Sequence, residues 1–194
     1  MRKIITKEET EKKQKRNKLI VGIILIFTML FSTIGYAFFN REGFITNQDK
    51  ITYKGIDFIK NENSLWQSTI NSQTFITFYN PKETENITLG FTSYINEFYN
   101  KPLYFVSGNQ ESIGEIMNNI GIYASRSQKV CLANMDCAED LVVKNCTGNN
   151  IIIFKENEQI KLYKESDCIF IEAPSEQEVL ATDRLIFKLA GVQN

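Results

Sequence analysis

The chain contains no histidine. That absence removes every mechanism that needs an imidazole, from Ser-His-Asp and Cys-His nucleophiles to HExxH zinc sites and haem held by histidine. A CxxC pair is also missing. Five, eight and 21 residues separate Cys131, Cys137, Cys146 and Cys168, a spacing that fits neither a zinc knuckle nor a thioredoxin-like redox pair. The segment Ser107-Gly108-Asn109-Gln110-Glu111-Ser112-Ile113-Gly114 has two glycines, no lysine and an acidic residue where a phosphate would sit, so it reads as a turn that caps a helix. Repeats and low-complexity tracts are absent as well. The single tryptophan, Trp66, is expected to anchor a core.

A further absence is positional: residues 19–39, LIVGIILIFTMLFSTIGYAFF, carry no charge. These 21 residues would span about 30 Å as a helix, the hydrocarbon thickness of a bilayer. Residues 1–18 carry eight Lys/Arg against Glu8, Glu9 and Glu11, giving +5, whereas residues 40–194 carry −6. A basic tail, a neutral run and an acidic domain are the pattern of a single-pass anchor with a cytoplasmic N-terminus and an exported C-terminal domain. The competing reading is a signal peptide cleaved after Ala37, since Gly35 and Ala37 place small residues where a signal peptidase reads. The 18-residue charged region and the length of the apolar run favour the uncleaved anchor. Topology is the same in both. The basic tail is read as enforcing that topology, and nucleic acid is not an expected partner.

All four cysteines fall in the exported part, which predicts two structural disulfides. Four cysteines allow three connectivities. Cys131 with Cys137 and Cys146 with Cys168 is the expected one, because the first pair is close in sequence and the second flanks adjacent strands. Two glycosylation sequons, at Asn86 and Asn145, agree with export.

After a polar linker at residues 40–50, strands are predicted at 51–53, 56–59, 65–70 and 74–79, ended by Asn80-Pro81. Ile87, Phe91, Tyr94, Ile95 and Phe98 recur at spacings of three and four, predicting a helix to Tyr99. A buried strand at 103–107 then leads into a helix with Ile113, Ile116, Met117 and Ile120 on its core face. A parallel partner strand at 129–133 would complete a βαβ crossover. Short strands follow at 141–144, 151–154, 160–163 and 168–171. A closing helix begins at Pro174 with the capping box Ser175-Glu176-Gln177-Glu178, carries Val179, Leu180, Ile186, Phe187 and Ala190 as its stripe, and stops at Gly191. The expected fold is α/β or α+β: one mixed-sheet domain over residues 51–194, with about three helices and two disulfides, behind an N-terminal transmembrane helix.

Asp57-Phe58, Leu65-Trp66-Gln67, the Phe75–Pro81 strand ending in Tyr79-Asn80-Pro81, and Lys101-Pro102-Leu103-Tyr104 form a recognisable set. With Cys168-Ile169-Phe170-Ile171, Ala181-Thr182-Asp183-Arg184-Leu185 and Gly191, they resemble uncharacterised archaeal proteins that carry one N-terminal transmembrane helix and a disulfide-containing ectodomain. The resemblance implies an envelope location and carries over no catalytic residue. The strand-then-helix ending also resembles the closing unit of archaeal surface-layer domains, a likeness of fold alone.

Without histidine, carboxylates are the remaining general acids or bases: Glu139-Asp140, Glu156 with Glu158, Glu165 with Asp167, and Glu176 with Glu178. All fall in polar turns or at a helix start and read as solvated charge. Asp183, on the inner stripe of an apolar helix, is expected to be buried and to accept hydrogen bonds from a strand end. Tyr94, Phe98, Tyr99 and Tyr104 read as core before they read as a platform for sugar or peptide. No residue is assigned a catalytic, cofactor-binding or metal role, and no cofactor is expected. The function expected is non-catalytic binding or assembly at the cell envelope, with the bilayer and other envelope proteins as partners. The alternatives are an extracytoplasmic ligand-binding domain or a carboxylate-dependent hydrolase.

Overall fold

The computed structural model describes residues 15–29, 49–133 and 135–193, in two compact units, residues 1–47 and 48–194. In the first unit residues 15–29 form a helix, α1, whose apolar side chains from Leu19 onward are exposed. Among the described residues no helix is long and apolar enough to cross a membrane. Residues 30–39 of the expected span, residues 40–48 of the expected linker and residues 1–14 of the tail lie outside the described residues.

The second unit opens with an antiparallel meander of β1 (Lys50–Tyr53), β2 (Ile56–Lys60), β3 (Trp66–Ile70) and β4 (Gln73–Thr77), paired in chain order. Alternation sets its buried face: Trp66, Ser68 and Ile70 of β3 point inward while Gln67 and Thr69 point out, and Phe58 and Phe75 join them from the neighbouring strands. The β3–β4 hairpin turns through Asn71 and Ser72, both at positive φ (50° and 66°), the backbone of a primed turn.

The predicted helix over 87–99 does not form. Only Ile95–Phe98 winds into a single 3-10 turn, and Leu89 instead makes a parallel bridge to Leu162. Burial explains the difference: Ile87, Leu89 and Phe91 are partly buried while Thr88 and Gly90 between them are exposed, so the segment follows a period of two and lies extended against the core.

A five-stranded mixed sheet carries β5 (Pro102–Val106), β6 (Arg126–Lys129), β9 (Asn150–Glu156), β10 (Lys161–Glu165) and β11 (Cys168–Ala173) in the order β10-β11-β9-β5-β6, parallel except for the β10–β11 hairpin. Helix α2 (Gln110–Asn119) connects β5 to β6, so the partner strand begins at Arg126 rather than Lys129. The β6 sequence is wholly polar and exposed, as suits an edge strand, and hydrophobic patterning does not register it. Residues 131–132 and 143–144 form a separate two-stranded ladder, β7 and β8, which is all that remains of the strand expected at 141–144. The α2 start is capped by Asn109, whose side chain accepts from the Ser112 N–H at 2.7 Å. Gly108 precedes it at φ 90°, with the Phe154 ring 2.6 Å from where a Cβ would stand.

Both faces of this sheet are buried, which explains runs such as Ile151-Ile152-Ile153-Phe154. Leu103, Phe105, Ile152, Phe154, Ile169 and Ile171 face the helices and the meander, and Tyr104, Val106, Ile151, Ile153 and Phe170 face a smaller core with Val130 and Leu132. Helix α3 (Glu178–Leu189) is buried on every side from Ala181 to Ala190, with Phe187 edge-on to Phe58 of the meander at 5.8 Å. Its expected stripe is therefore too narrow. The expected capping box is not formed either: a 3-10 turn at Ser175–Gln177 precedes α3, and the Ser175 hydroxyl bonds to Glu156. The C-terminus closes with Gly191 at φ 78°, its N–H donating to Lys188 O and that of Val192 to Phe187 O, the paired bonds of a Schellman motif. The domain is a mixed α+β fold, with α2 and α3 packed between two sheets.

Candidate functional site

Two constellations stand apart from ordinary packing. The first centres on Asp183 of α3, which is fully buried and accepts the Tyr79 N–H at 2.8 Å just beyond the end of β4. Its partner is Glu115 of α2, 4% exposed. Burial pushes the Glu115 carboxyl up to about 7 even though a hydrogen bond from Asp183 pulls it down. Burial and the facing Glu115 charge likewise hold Asp183 well above its ordinary range, against the backbone N–H groups of Tyr79 and Phe78. Two buried carboxyls in contact cannot both ionise, so the pair holds a proton between them near neutrality. Asp183 Oδ1 has no hydrogen-bond partner among the described residues, which agrees with a protonated rather than a charged pair.

Asn119, one turn beyond Glu115, completes the group. Its Oδ1 accepts the Ile76 N–H at 2.8 Å, and its Nδ2 donates to Ile76 O at 2.7 Å and to Glu115 O at 2.8 Å. The buried stripe of α2 thus runs Ser112, Glu115, Ile116, Asn119, Ile120, displaced from the expected one; Ile113 and Met117 are only partly buried. Neighbouring Arg184 satisfies its guanidinium elsewhere, donating to Ile87 O at 2.8 Å and to Gln193 Oε1 at 2.7 Å. Both carboxyls are buried and bonded within the domain, so among the described residues the group holds structure together.

The second constellation is open. A cleft of about 640 Å³ lies on the outer face of the five-stranded sheet, walled by the cysteine-rich loop. Lys144 and Cys146 enter it from the β8 side, Lys155 and Phe170 from β9 and β11, and Tyr163 and Glu165 from β10. The Lys155 ammonium sits 4.7 Å from the Phe170 ring centre, and Tyr163 stacks on Phe170 at 4.7 Å, nearly parallel. Lys144 lies 5.1 Å from the Tyr104 ring, and Arg126 donates to the Tyr104 hydroxyl at 3.0 Å. That hydrogen bond, with the Arg126 and Lys144 charges, draws the Tyr104 phenol below its ordinary range. Tyr163 goes the other way, to about 12, through burial and its hydrogen bond to the Glu172 carboxylate at 2.8 Å.

The disulfides hold this wall in place. Cys131 is joined to Cys137 across 5.7 Å between Cα atoms, closing the loop on itself. Cys146 is joined to Cys168 across 5.1 Å, tying the end of this loop, the flap that walls the cleft, to β11. Two disulfides fit a domain in an oxidising, extracellular compartment. Both sequon asparagines are exposed; the Asn145 side chain accepts the Thr147 N–H at 3.3 Å.

Most of the expected carboxylate pairs have ordinary work. Glu156 takes the Ser175 hydroxyl, Asp167 accepts the Gly148 N–H at 2.7 Å, Glu178 accepts the Asn109 N–H at 2.8 Å, and Glu139, Asp140, Glu158 and Glu176 are exposed. Only Glu165 reaches the cleft. The four aromatics expected to cluster are divided: Phe98 and Tyr104 are buried, while Tyr94 and Tyr99 are exposed. Among the described residues no group of His, Cys, Asp or Glu is arranged to hold a metal ion. The chain matches no family model, no curated protein and no solved structure.

Proposed function

We propose that this chain is a single-pass envelope protein, N-terminus cytoplasmic, whose extracytoplasmic domain binds a ligand or partner rather than transforming one. The observation that carries the reading is the cleft beneath the disulfide-held flap, where Lys144 and Lys155 stand without a carboxylate ion pair among the described residues. Both disulfides support export, and the uncharged run at 19–39 behind a basic tail supports the anchor. The exposed apolar side chains of α1 are those a lipid environment would cover. The burial of the Glu115–Asp183 pair, away from the cleft described above, favours binding over the carboxylate-dependent hydrolase. Membership of the archaeal anchored-ectodomain group belongs to the same proposal.

The test is a pull-down of tagged full-length protein from gently solubilised native membranes, with intact-mass analysis of the same sample. The reading expects an uncleaved chain, two disulfides, and one or two envelope components retained by wild type and lost from the Lys144→Met, Lys155→Met double variant. A chain cleaved after Ala37 would overturn the anchor, and identical recovery with both proteins would overturn the cleft.

A further inference from the structure

We propose that the cleft takes a small organic anion with an apolar body, its carboxylate held by Lys144 and Lys155 and its body against Leu132, Ala133 and Met135. The inference rests on the binding reading above and names the ligand chemistry.

Charge is the first argument. The exported part carries −6 overall, yet this cleft is lined by two lysines, Lys144 from β8 and Lys155 from β9. Neither is in an ion pair among the described residues, where the ion pairs are Lys50 with Asp57 and Lys164 with Glu97. Both ammonium groups rest near aromatic rings, Lys144 by Tyr104 and Lys155 by Phe170, where their attraction is weaker than to a carboxylate. Arg126, also bonded to Tyr104, adds a third cation beside the cleft. The opposing charges are Glu165, which lines the cleft, and Glu172, which stands in register beside Lys155 and feels its charge without forming an ion pair, its oxygens being bonded to Tyr163 at 2.8 Å and Asn157 at 2.7 Å.

The apolar body follows from the rest of the lining. Leu132, Ala133 and Met135 contribute hydrocarbon, and Met135 is 46% exposed, an unbranched thioether that adapts to what covers it. A sugar is the poorer fit, because its ring needs an open aromatic face. The Phe170 ring is stacked by Tyr163 and crossed by Lys155. The volume, about 640 Å³, is within the range of small-molecule sites.

The probes are N-acetyl-phenylalanine, its uncharged amide, and acetate, each titrated into isotope-labelled full-length protein in lipid nanodiscs and followed by amide chemical shifts. N-acetyl-phenylalanine is expected to bind with Kd of about 1 mM or tighter and to shift the Lys144, Cys146, Lys155 and Phe170 signals; the amide and acetate are expected to bind at least about tenfold more weakly. The Lys144→Met, Lys155→Met variant keeps both hydrocarbon stems and is expected to lose about tenfold for the acid and nothing for the amide. Equal binding of acid and amide would overturn the anion claim while leaving the binding reading intact. Shifts confined to other surfaces would overturn the site. If neither probe binds but the double variant still loses its envelope partner in the pull-down, the ligand class is wrong and the binding domain stands; if both experiments are blank, both fall.

Discussion

Replacing Glu115 with Gln is expected to stabilise the domain at alkaline pH, against the usual cost of altering a buried residue. Burial raises the Glu115 carboxyl from 4.5 to about 7. A group raised on folding contributes its full stability below the unfolded pKa and loses it as pH rises through the folded one, because the native state binds the extra proton. Each unit is about 1.36 kcal/mol, so unfolding free energy should fall by about 3 kcal/mol between roughly pH 4.5 and just above pH 7, a change belonging to the Glu115–Asp183 pair jointly. Glutamine fills nearly the same volume, carries no charge, and presents an N–H to Asp183 at any pH. The variant's curve should therefore be flatter, matching wild type to within about 1 kcal/mol near pH 5 and exceeding it by about 2 to 3 kcal/mol near pH 8. Urea titrations read by Trp66, the single tryptophan and a buried one, provide the assay. A wild-type profile flat over that range, or a variant less stable than wild type near pH 8, would refute the shared proton.

Three further outcomes can be measured the same way. Gly191→Ala places a side chain at φ 78° in the closing turn of α3 and should cost about 1 kcal/mol. Ser72→Gly relieves positive φ in the β3–β4 turn and should raise stability by about 0.5 kcal/mol or more, with the meander unchanged by circular dichroism. Replacing Cys146 and Cys168 together by serine removes a bridge spanning 22 residues, worth about 3 kcal/mol in chain entropy. The flap amides around Lys144 should then exchange faster with solvent while those of Ile152 stay protected.

Much of this architecture was written in local pattern, and the failures share a cause. The meander follows from a period of two that tertiary packing left alone, and the buried strands from short apolar runs between turns. The closing helix was placed by its apolar spacing and Gly191, although packing buries it on every side. The segment 87–99 misled because Ile87 and Phe91 satisfy a helical spacing while Ile87, Leu89 and Phe91 satisfy a strand-like one; contact with Leu162 decided between them. Strand β6 was invisible because Arg-Ser-Gln-Lys at a sheet edge needs no hydrophobe. The Asp183 site was half legible: an acid on an apolar stripe points to a buried partner, but Glu115 and Asn119 read as the wet face of α2 until that helix is seen between two sheets. The cleft had no sequence signature at all, since Lys144, Lys155 and Phe170 come from three strands and meet only in the folded chain.

The side chains that hold β4 have a consequence for what the domain can be built into. An exposed strand edge offers its free N–H and C=O groups to any other extended chain, which is how sheets grow between molecules. On β4 that invitation is withdrawn: the amide of Asn119 takes both main-chain groups of Ile76, as a neighbouring strand would, and Asp183 takes the N–H beyond the strand's end. The meander is thereby sealed at one side by two residues of its own helices. In the meander, strand addition is left to β1, so this sheet can pair with one further strand but cannot grow from both sides into a polymer.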